Sequence, residues 1–402
     1  MNTSRIAYIL SRFPCYDEVF LLREIHAVAA RLDTWIFTLR SSHEPVVHDE
    51  ARALLPRTLY VAFLVSPRIL RAHALLLRRR PRRYLAALAR LVAGNWRSPE
   101  FLLKNLAFFP KAVWLAQWAI ENGVTHVHAG WATYAASVAH VVSGISGVPF
   151  SFSGHAHDIY LNTTHLAEKI RHAAFVTTCT VANAVHLRRL APECPSAHLA
   201  VIHHGIRVSD FRQAREGDEP LHILSVGTLN PHKGFAYLID ALARLAGEGH
   251  KFHCTIVGGG PLDATLRAQL TGARLDDRVT MTGPLKHADV LPHYSRASVF
   301  VLMAQPEWHW GIPNVLIEAL AARCAVITTR FGSVEELVKD GETGLLVPPR
   351  DSAALAEAIR GLAENQALRR RLAEAGHRVV ASEFDLERAT EEYVRRFQGL
   401  PA

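Results

Sequence analysis

Short apolar runs, each a strand's length, recur along the chain and alternate with segments whose apolar residues repeat every three to four positions. The runs "RIAYIL", "TWIFTL" and "RTLYVAF" read as strands, with an amphipathic helix over 17–32 between the first two. A basic helical region follows, and 99–122 continues as helix. Next come "THVHA", a helix over 133–146, "VPFSFSG", "AFVTTC", a helix over 180–190 and "AHLAVIHHG". The pattern lapses at 206–220 into "IRVSDFRQAREGDEP", which is polar and charged like a linker. A second series then runs "LHILSVG", "KFHCTIVG", "RVTMTG", "SVFVLM", "CAVITT" and "TGLLVP", each followed by a helical segment. One helix over about 351–376 and a last one over 384–398 close the chain. Strands separated by helices of this length imply parallel, doubly wound sheets. The pattern therefore predicts an α/β chain with two Rossmann-like domains facing a cleft. The first covers 1–205, with a basic insertion at 65–104, and the second covers 221–382 after the 206–220 linker. The terminal helix, 383–402, is expected to pack back on the first domain. Ligands of such sheets sit outside the carboxyl ends of the strands.

Composition changes this picture little. The 402 residues are 49% hydrophobic and 20% charged, an ordinary globular balance. No run of about 18 apolar residues appears, so no membrane span is expected. The opening "MNTSRIAYILSRFP" has a strand's apolar run and no small-residue cleavage site, so a signal peptide is not expected either. The five cysteines (Cys15, Cys179, Cys194, Cys254, Cys324) are scattered without CxxC spacing. That argues against a disulfide framework or structural zinc and suits a reducing cytoplasm. Charge is more informative. The net +8 is concentrated between Val65 and Lys104, where Arg68, Arg71, Arg78, Arg79, Arg80, Arg82, Arg83, Arg90, Arg97 and Lys104 face one acid, Glu100. Interleaved with Leu and Ala at helical spacing, they make either a solvated helix face or an amphipathic surface for an anionic membrane. No nucleic-acid-binding module accompanies them, so a nucleic-acid partner is not expected.

Four segments carry candidate chemistry. In "LSVGTLNPHKGFAYLIDAL" a strand ends at Gly227, Thr228 follows, and Lys233 precedes a helix. A lysine at the positive end of a helix is unfavourable without an anion to bind. The alternative is a surface lysine beside a turn glycine. In "CTIVGGGPLDATL", Gly258 and Gly260 let backbone approach a phosphate or base, although strand-to-helix turns use glycine for other reasons too. In "QPEWHWGIPNVLIEAL", Glu307 and Trp310 lie on a loop, Gly311 and Pro313 lead into a helix, and the first amides of Asn314, Val315 and Leu316 form an anion site. Glu318 has no Lys or Arg three or four residues away, so it requires a partner elsewhere: a sugar hydroxyl pair, or a salt bridge across the domain. In "FSFSGHAHDIYL", His155, His157 and Asp158 follow a strand. His-x-His suggests a metal, but no third ligand stands at ligand spacing, so no metal is expected.

Together these segments are similar to a known family. "VGTLNPHKGF", "IVGGGPL", "VIHHGI" and "GIPNVLIEALAARCAVITTRFGSVEELVKDGETGLLVPPRD" resemble, in order and spacing, the second domain of retaining GT-B glycosyltransferases. "IAYILSRFPCYDEVFLLREI" and "HVHAGWATYAASVAHVVSGISGVPFSFSGHAHDIY" are similar to the colanic-acid, exopolysaccharide branch. The resemblance implies a UDP- or GDP-linked sugar donor on the second domain and no cofactor or metal. It implies a saccharide acceptor, lipid-linked, on the first domain, with residues such as Asp17, Glu18, His157 and Asp158 near it. It assigns Lys233 to the donor diphosphate, Glu318 to the ribose, the 314–316 amides to phosphate or sugar, and His155 to the donor sugar. The protein is then expected in the cytoplasm, peripherally on the inner face of the membrane.

Three positions depart from the family pattern. Thr228 stands where an Arg is usual, Trp310 where the first Glu of a Glu-x7-Glu pair is usual, and Arg207 where an Asp is usual. The loss of the Arg weakens diphosphate stabilisation unless Arg207 or another base replaces it, and Glu307 or Trp310 is left to take over the sugar contact. The departures keep a non-catalytic, glycosyltransferase-like binding or scaffold protein open. A nicotinamide-linked oxidoreductase is disfavoured because G-x-G-x-x-G and its ribose-binding acid are missing.

Overall fold

The computed structural model describes residues 4–15, 18–42, 47–61, 66–211, 220–308 and 311–400. Two compact units emerge, Met1–Gly205 with Leu386–Ala402, and Ile206–Asp385.

Among the described residues the first unit holds seven strands: β1 (Arg5–Phe13), β2 (Asp33–Ser41), β3 (Thr58–Leu59), β4 (His126–Ala129), β5 (Phe150–Gly154), β6 (Phe175–Thr178) and β7 (Leu199–Val201). They pair in the order β3-β2-β1-β4-β5-β6-β7, every pair parallel. The inner strands β4, β5 and β6 are buried along their whole length because helices cover both faces of the sheet. In β1, Ala7 and Ile9 join one core while Ile6, Tyr8 and Leu10 join the other. The buried histidines of β4 are satisfied by serines of β5: His126 meets Ser151 Oγ at 2.7 Å, and His128 meets Ser151 and Ser153 at 2.8 and 3.0 Å. Burial pushes the His126 imidazole down to about 3, so it packs as a neutral ring. The terminal helix, Leu386–Phe397, belongs to this unit and seals the second core with Tyr393 and Phe397.

The second unit holds β8 (Leu221–Val226), β9 (Phe252–Val257), β10 (Val279–Gly283), β11 (Val299–Leu302), β12 (Ala325–Thr329) and β13 (Leu345–Val347). Their order is β10-β9-β8-β11-β12-β13, again all parallel. This is the Rossmann order, in which chain direction reverses between the first and fourth strands and opens a crevice at their carboxyl ends. Here that switch point lies between β8 and β11.

Three expectations need correction. The expected 57–63 strand shrinks to Thr58–Leu59, with 62–65 outside the described residues. The single helix over 351–376 is two, Ser352–Glu364 and Gln366–Glu383. Asn365 separates them, its side chain accepting from the Leu368 amide at 2.9 Å and starting a new helix. The stretch 206–220 begins as packed structure: Ile206 bridges to Asp385, and Phe211 is buried against Tyr294.

Candidate functional site

The loops after β8, β9 and β11 of the second unit are tied into one surface. Beyond β8, the Gly227 amide donates to Val257 and the Leu229 amide to Gly259. Gly258 adopts φ +147°, and a Cβ there would lie 1.9 Å from the Gly227 oxygen. Only glycine permits this approach of two backbones. Gly234, at φ +66°, is likewise pinned to β11, since a Cβ would lie 2.2 Å from the Met303 oxygen. The Gln305 amide donates to the His232 carbonyl at 2.9 Å, joining the third loop. Three strand ends around the switch point thus share one backbone network.

Lys233 ends a 3-10 turn, Pro231–Lys233, directly before Gly234 and the helix Phe235–Gly247. Its stem runs beside Gly227, whose hypothetical Cβ would lie 3.7 Å from Lys233 Cγ. Burial lowers its ammonium from 10.5 to about 8. A cation desolvated beside a strand end is poised to receive an anion, which would restore its charge.

The helix Asn314–Ala321 starts where the switch-point crevice opens. Pro313 is its N-cap, one position earlier than the first-turn placement the sequence suggested. The Leu316 amide is not available as expected: it donates to the Pro313 carbonyl at 3.0 Å. The first turn of the helix is therefore closed at Leu316, and the Asn314 and Val315 amides precede that bond. Glu318, 6% exposed, has partners in its own unit. His287 Nε2 lies 3.1 Å from Oε1, and the Tyr294 hydroxyl donates to Oε2 at 3.1 Å. Both come from the helix His287–Arg296. Sequence spacing missed them because they sit 31 and 24 residues away in the chain.

Glu307 is exposed and paired with Arg350 at 2.7 Å, while Trp308 packs on His232 with centroids 4.2 Å apart. Trp310 lies outside the described residues. Thr228 is exposed beside the crevice loop, and Arg207 is engaged by Asp210 at 3.8 Å.

In the first unit, His155 directly follows β5 and is 4% exposed. Its Nε2 meets the Gly130 carbonyl at 3.1 Å, so that nitrogen carries the proton and donates it. Its Nδ1 lies 3.1 Å from His204 Nε2. Burial lowers its basicity, with Asp158 and the Gly130 bond opposing. A sugar contact by His155 would exchange one of these two bonds. Asp158, 1% exposed, accepts from the amides of Ala132, His155 and Ala156 at 3.0, 3.0 and 2.8 Å. Its carboxylate therefore braces the loops after β4 and β5. His157 is exposed, Glu18 caps the helix Val19–Ala29, and Asp17 lies outside the described residues. Sequence reading missed Cys179 and His204, which the folded loops bring to His155.

Residues 207–379 match the family model described as glycosyl transferases group 1. They carry a group 1 glycosyltransferase domain. Relatives include alpha-D-kanosaminyltransferase of Streptomyces kanamyceticus, 32% identical over 46% of this chain and 47% of its own length. The putative colanic acid biosynthesis glycosyltransferase WcaL of Escherichia coli is 32% identical over 42% of this chain and 43% of its own. The chain thus matches about half the length of these curated relatives. Over the whole chain, the structure of Anabaena Alr3699/HepE in complex with UDP superposes with a TM-score of 0.71 at 18% identity, covering 99% of this chain and 100% of the other. The fold is GT-B, and the crevice between β8 and β11 belongs to the group 1 domain.

Proposed function

We propose that the protein transfers a hexose from a nucleotide-diphosphate sugar to a saccharide acceptor, lipid-linked, in extracellular or capsular polysaccharide synthesis. The observation that carries this is the gathering of Lys233, the Gly258–Gly260 turn and the Asn314 helix N-terminus around one switch point. In this reading the Lys233 ammonium and the Asn314 and Val315 amides hold the diphosphate, and Glu318 receives the ribose hydroxyls. The bond from the anomeric carbon to phosphate breaks and a bond to the acceptor oxygen forms on the same face. The acceptor proton passes to the departing diphosphate, so configuration is retained. Lys233 and the helix dipole act on the charge that grows on that leaving group, which is where electrostatic stabilisation counts most. No metal is needed in this scheme. UDP is the first nucleotide to test, ahead of GDP, because Alr3699/HepE was crystallised with UDP and with UDP-glucose.

The helices Pro67–Arg79 and Pro81–Asn95 support the membrane side of the proposal. Leu70, Leu77, Leu85, Val92 and Trp96 are exposed among the exposed Arg68, Arg71, Arg78, Arg79, Arg82, Arg83 and Arg97. Arg80 is set apart, donating to the Ser146 carbonyl at a helix C-terminus. No helix among the described residues is long and apolar enough to cross a membrane. A basic apolar face of this kind suits the anionic inner leaflet, where a lipid-linked acceptor would be met.

The test is transfer itself: purified protein, UDP- and GDP-hexoses, lipid-linked saccharide acceptors, and NMR of the product's anomeric proton. An axial donor giving an equatorial product would overturn retention. Tight donor binding without transfer to any acceptor would favour a non-catalytic scaffold, the reading that Thr228 and the Arg207–Asp210 pair support.

A further inference from the structure

We propose that His155, Cys179 and His204 form a binding site for a divalent transition-metal ion of the zinc type. His155 and Cys179 directly follow β5 and β6, and His204 lies three residues beyond the end of β7, so the three come from the loops of adjacent parallel strands. One ligand atom from each, two imidazole nitrogens and a sulfur, lies within 4.8 Å of the others. Tetrahedral zinc has bonds of about 2.0–2.1 Å to nitrogen and about 2.3 Å to sulfur, which set ligand-to-ligand edges of roughly 3.3–3.6 Å. The 3.1 Å separation of His155 Nδ1 and His204 Nε2 is close to such an edge.

The surroundings orient the ligands as a metal requires. His155 gives its Nε2 proton to the Gly130 carbonyl, which leaves the Nδ1 lone pair facing the site. The Asn183 side-chain amide donates to the His155 carbonyl at 2.6 Å and to the Cys179 sulfur at 3.6 Å, while the Cys179 thiol donates to the same carbonyl at 3.5 Å, so a donor already stands against the sulfur that a metal would hold as thiolate. Phe20 stacks on His204 with centroids 4.1 Å apart and fixes that ring. Two imidazoles and a thiolate select zinc or cobalt over magnesium or calcium, so the site is chemically distinct from any ion that neutralises a diphosphate. Loading releases the Cys179 thiol proton to solvent and moves the His204 ring proton to Nδ1, so affinity rises with pH. Three protein ligands leave a fourth position for water or another donor.

Cobalt is the probe, added to untagged, metal-free protein and followed by absorption. One equivalent should give visible ligand-field bands of tetrahedral intensity and a sulfur-to-cobalt charge-transfer band, and zinc should displace both. Cys179→Ser should remove the charge-transfer band. His204→Gln should weaken binding by more than about 100-fold, since even the loss of an outer-shell partner weakens metals 10–100-fold. Circular dichroism reports whether the variants fold. If either does not, X-ray absorption of zinc-loaded wild-type protein decides, with one sulfur at about 2.3 Å and two imidazoles expected. No binding, no sulfur in the shell, or spectra unchanged in both variants would each overturn the site and leave only a His–His hydrogen bond.

Discussion

Replacing Lys233 by Met should stabilise the empty protein and disable its donor site. The ammonium is held at about 8 by burial, against 10.5 in water. The fall from 10.5 to about 8 corresponds to roughly 3 kcal/mol of disfavoured charge at neutral pH. The sign follows from proton counting. Between pH 8 and 10.5 the unfolded chain binds the proton that the folded chain has released, so stability rises with pH across that window. Below pH 8 the full penalty is present, and Lys233→Met removes it. The same substitution deletes a charge-assisted contact to the diphosphate, worth about 1.5–3 kcal/mol, or roughly 10- to 150-fold in affinity. The assay is paired: thermal unfolding without ligand, and calorimetric titration with UDP and UDP-glucose between pH 6.5 and 9. In the wild type, about 90% of the lysine is charged at pH 7 and about 10% at pH 9, so affinity should fall as pH passes 8. Lys233→Met should melt higher, bind weakly, and lose that pH dependence. A variant that binds UDP as well as wild type, or wild-type affinity that is flat across this range, would refute the assignment.

Further outcomes are expected elsewhere. Glu318→Gln should weaken UDP binding about 10-fold or more and narrow the preference for UDP over its 2′,3′-dideoxy analogue, measured by the same titration. Gly258→Ala should destabilise by several kcal/mol in urea unfolding, because a Cβ would sit 1.9 Å from the Gly227 oxygen at φ +147°. Glu24, packed against Tyr8 and Tyr393, is raised by burial to about 7, so it favours folding less as pH rises from 4.5 to 7. Glu24→Gln should therefore raise the melting temperature at pH 8 and flatten this decline. Changing Arg68, Arg71, Arg78 and Arg79 together to Ala should cut binding to phosphatidylglycerol vesicles about 10³-fold, at about 1 kcal/mol each. Sedimentation with vesicles at two salt concentrations checks this.

The fold was legible wherever a covered strand is a mostly apolar run between helical segments, as in β1 and β11. At the sheet edge the run "RTLYVAF" promised a longer strand than β3, which pairs only at Thr58–Leu59. The break at Asn365 was hidden because "LAENQALRRRLAEA" keeps helical periodicity through it, although Asn followed by a new turn is itself a capping signal. At the site, local features were readable: Lys233 before a helix, the glycines of 258–260, and a carboxylate in an apolar helix. Non-local partners were not. His287 and Tyr294 reach Glu318 only because the helix His287–Arg296 packs beside it. Cys179 and His204 were unremarkable in sequence, one in a strand end and the other in "VIHHGI". The order β5-β6-β7 places the loops after those strands side by side, and only the folded loops bring His204 to His155 and Cys179.

The claim on which the rest depends is a nucleotide-sugar site at the β8–β11 switch point. Thermal unfolding with millimolar UDP-, GDP- and other nucleotide sugars tests it most directly. At 100 times its dissociation constant a donor adds about 2.7 kcal/mol to native stability, enough for a clear shift in melting temperature. One class of nucleotide sugar should stabilise the wild-type protein by this amount and stabilise Lys233→Met and Glu318→Gln by about half as much or less. Stabilisation by none, or equal stabilisation of all three proteins, would contradict the account.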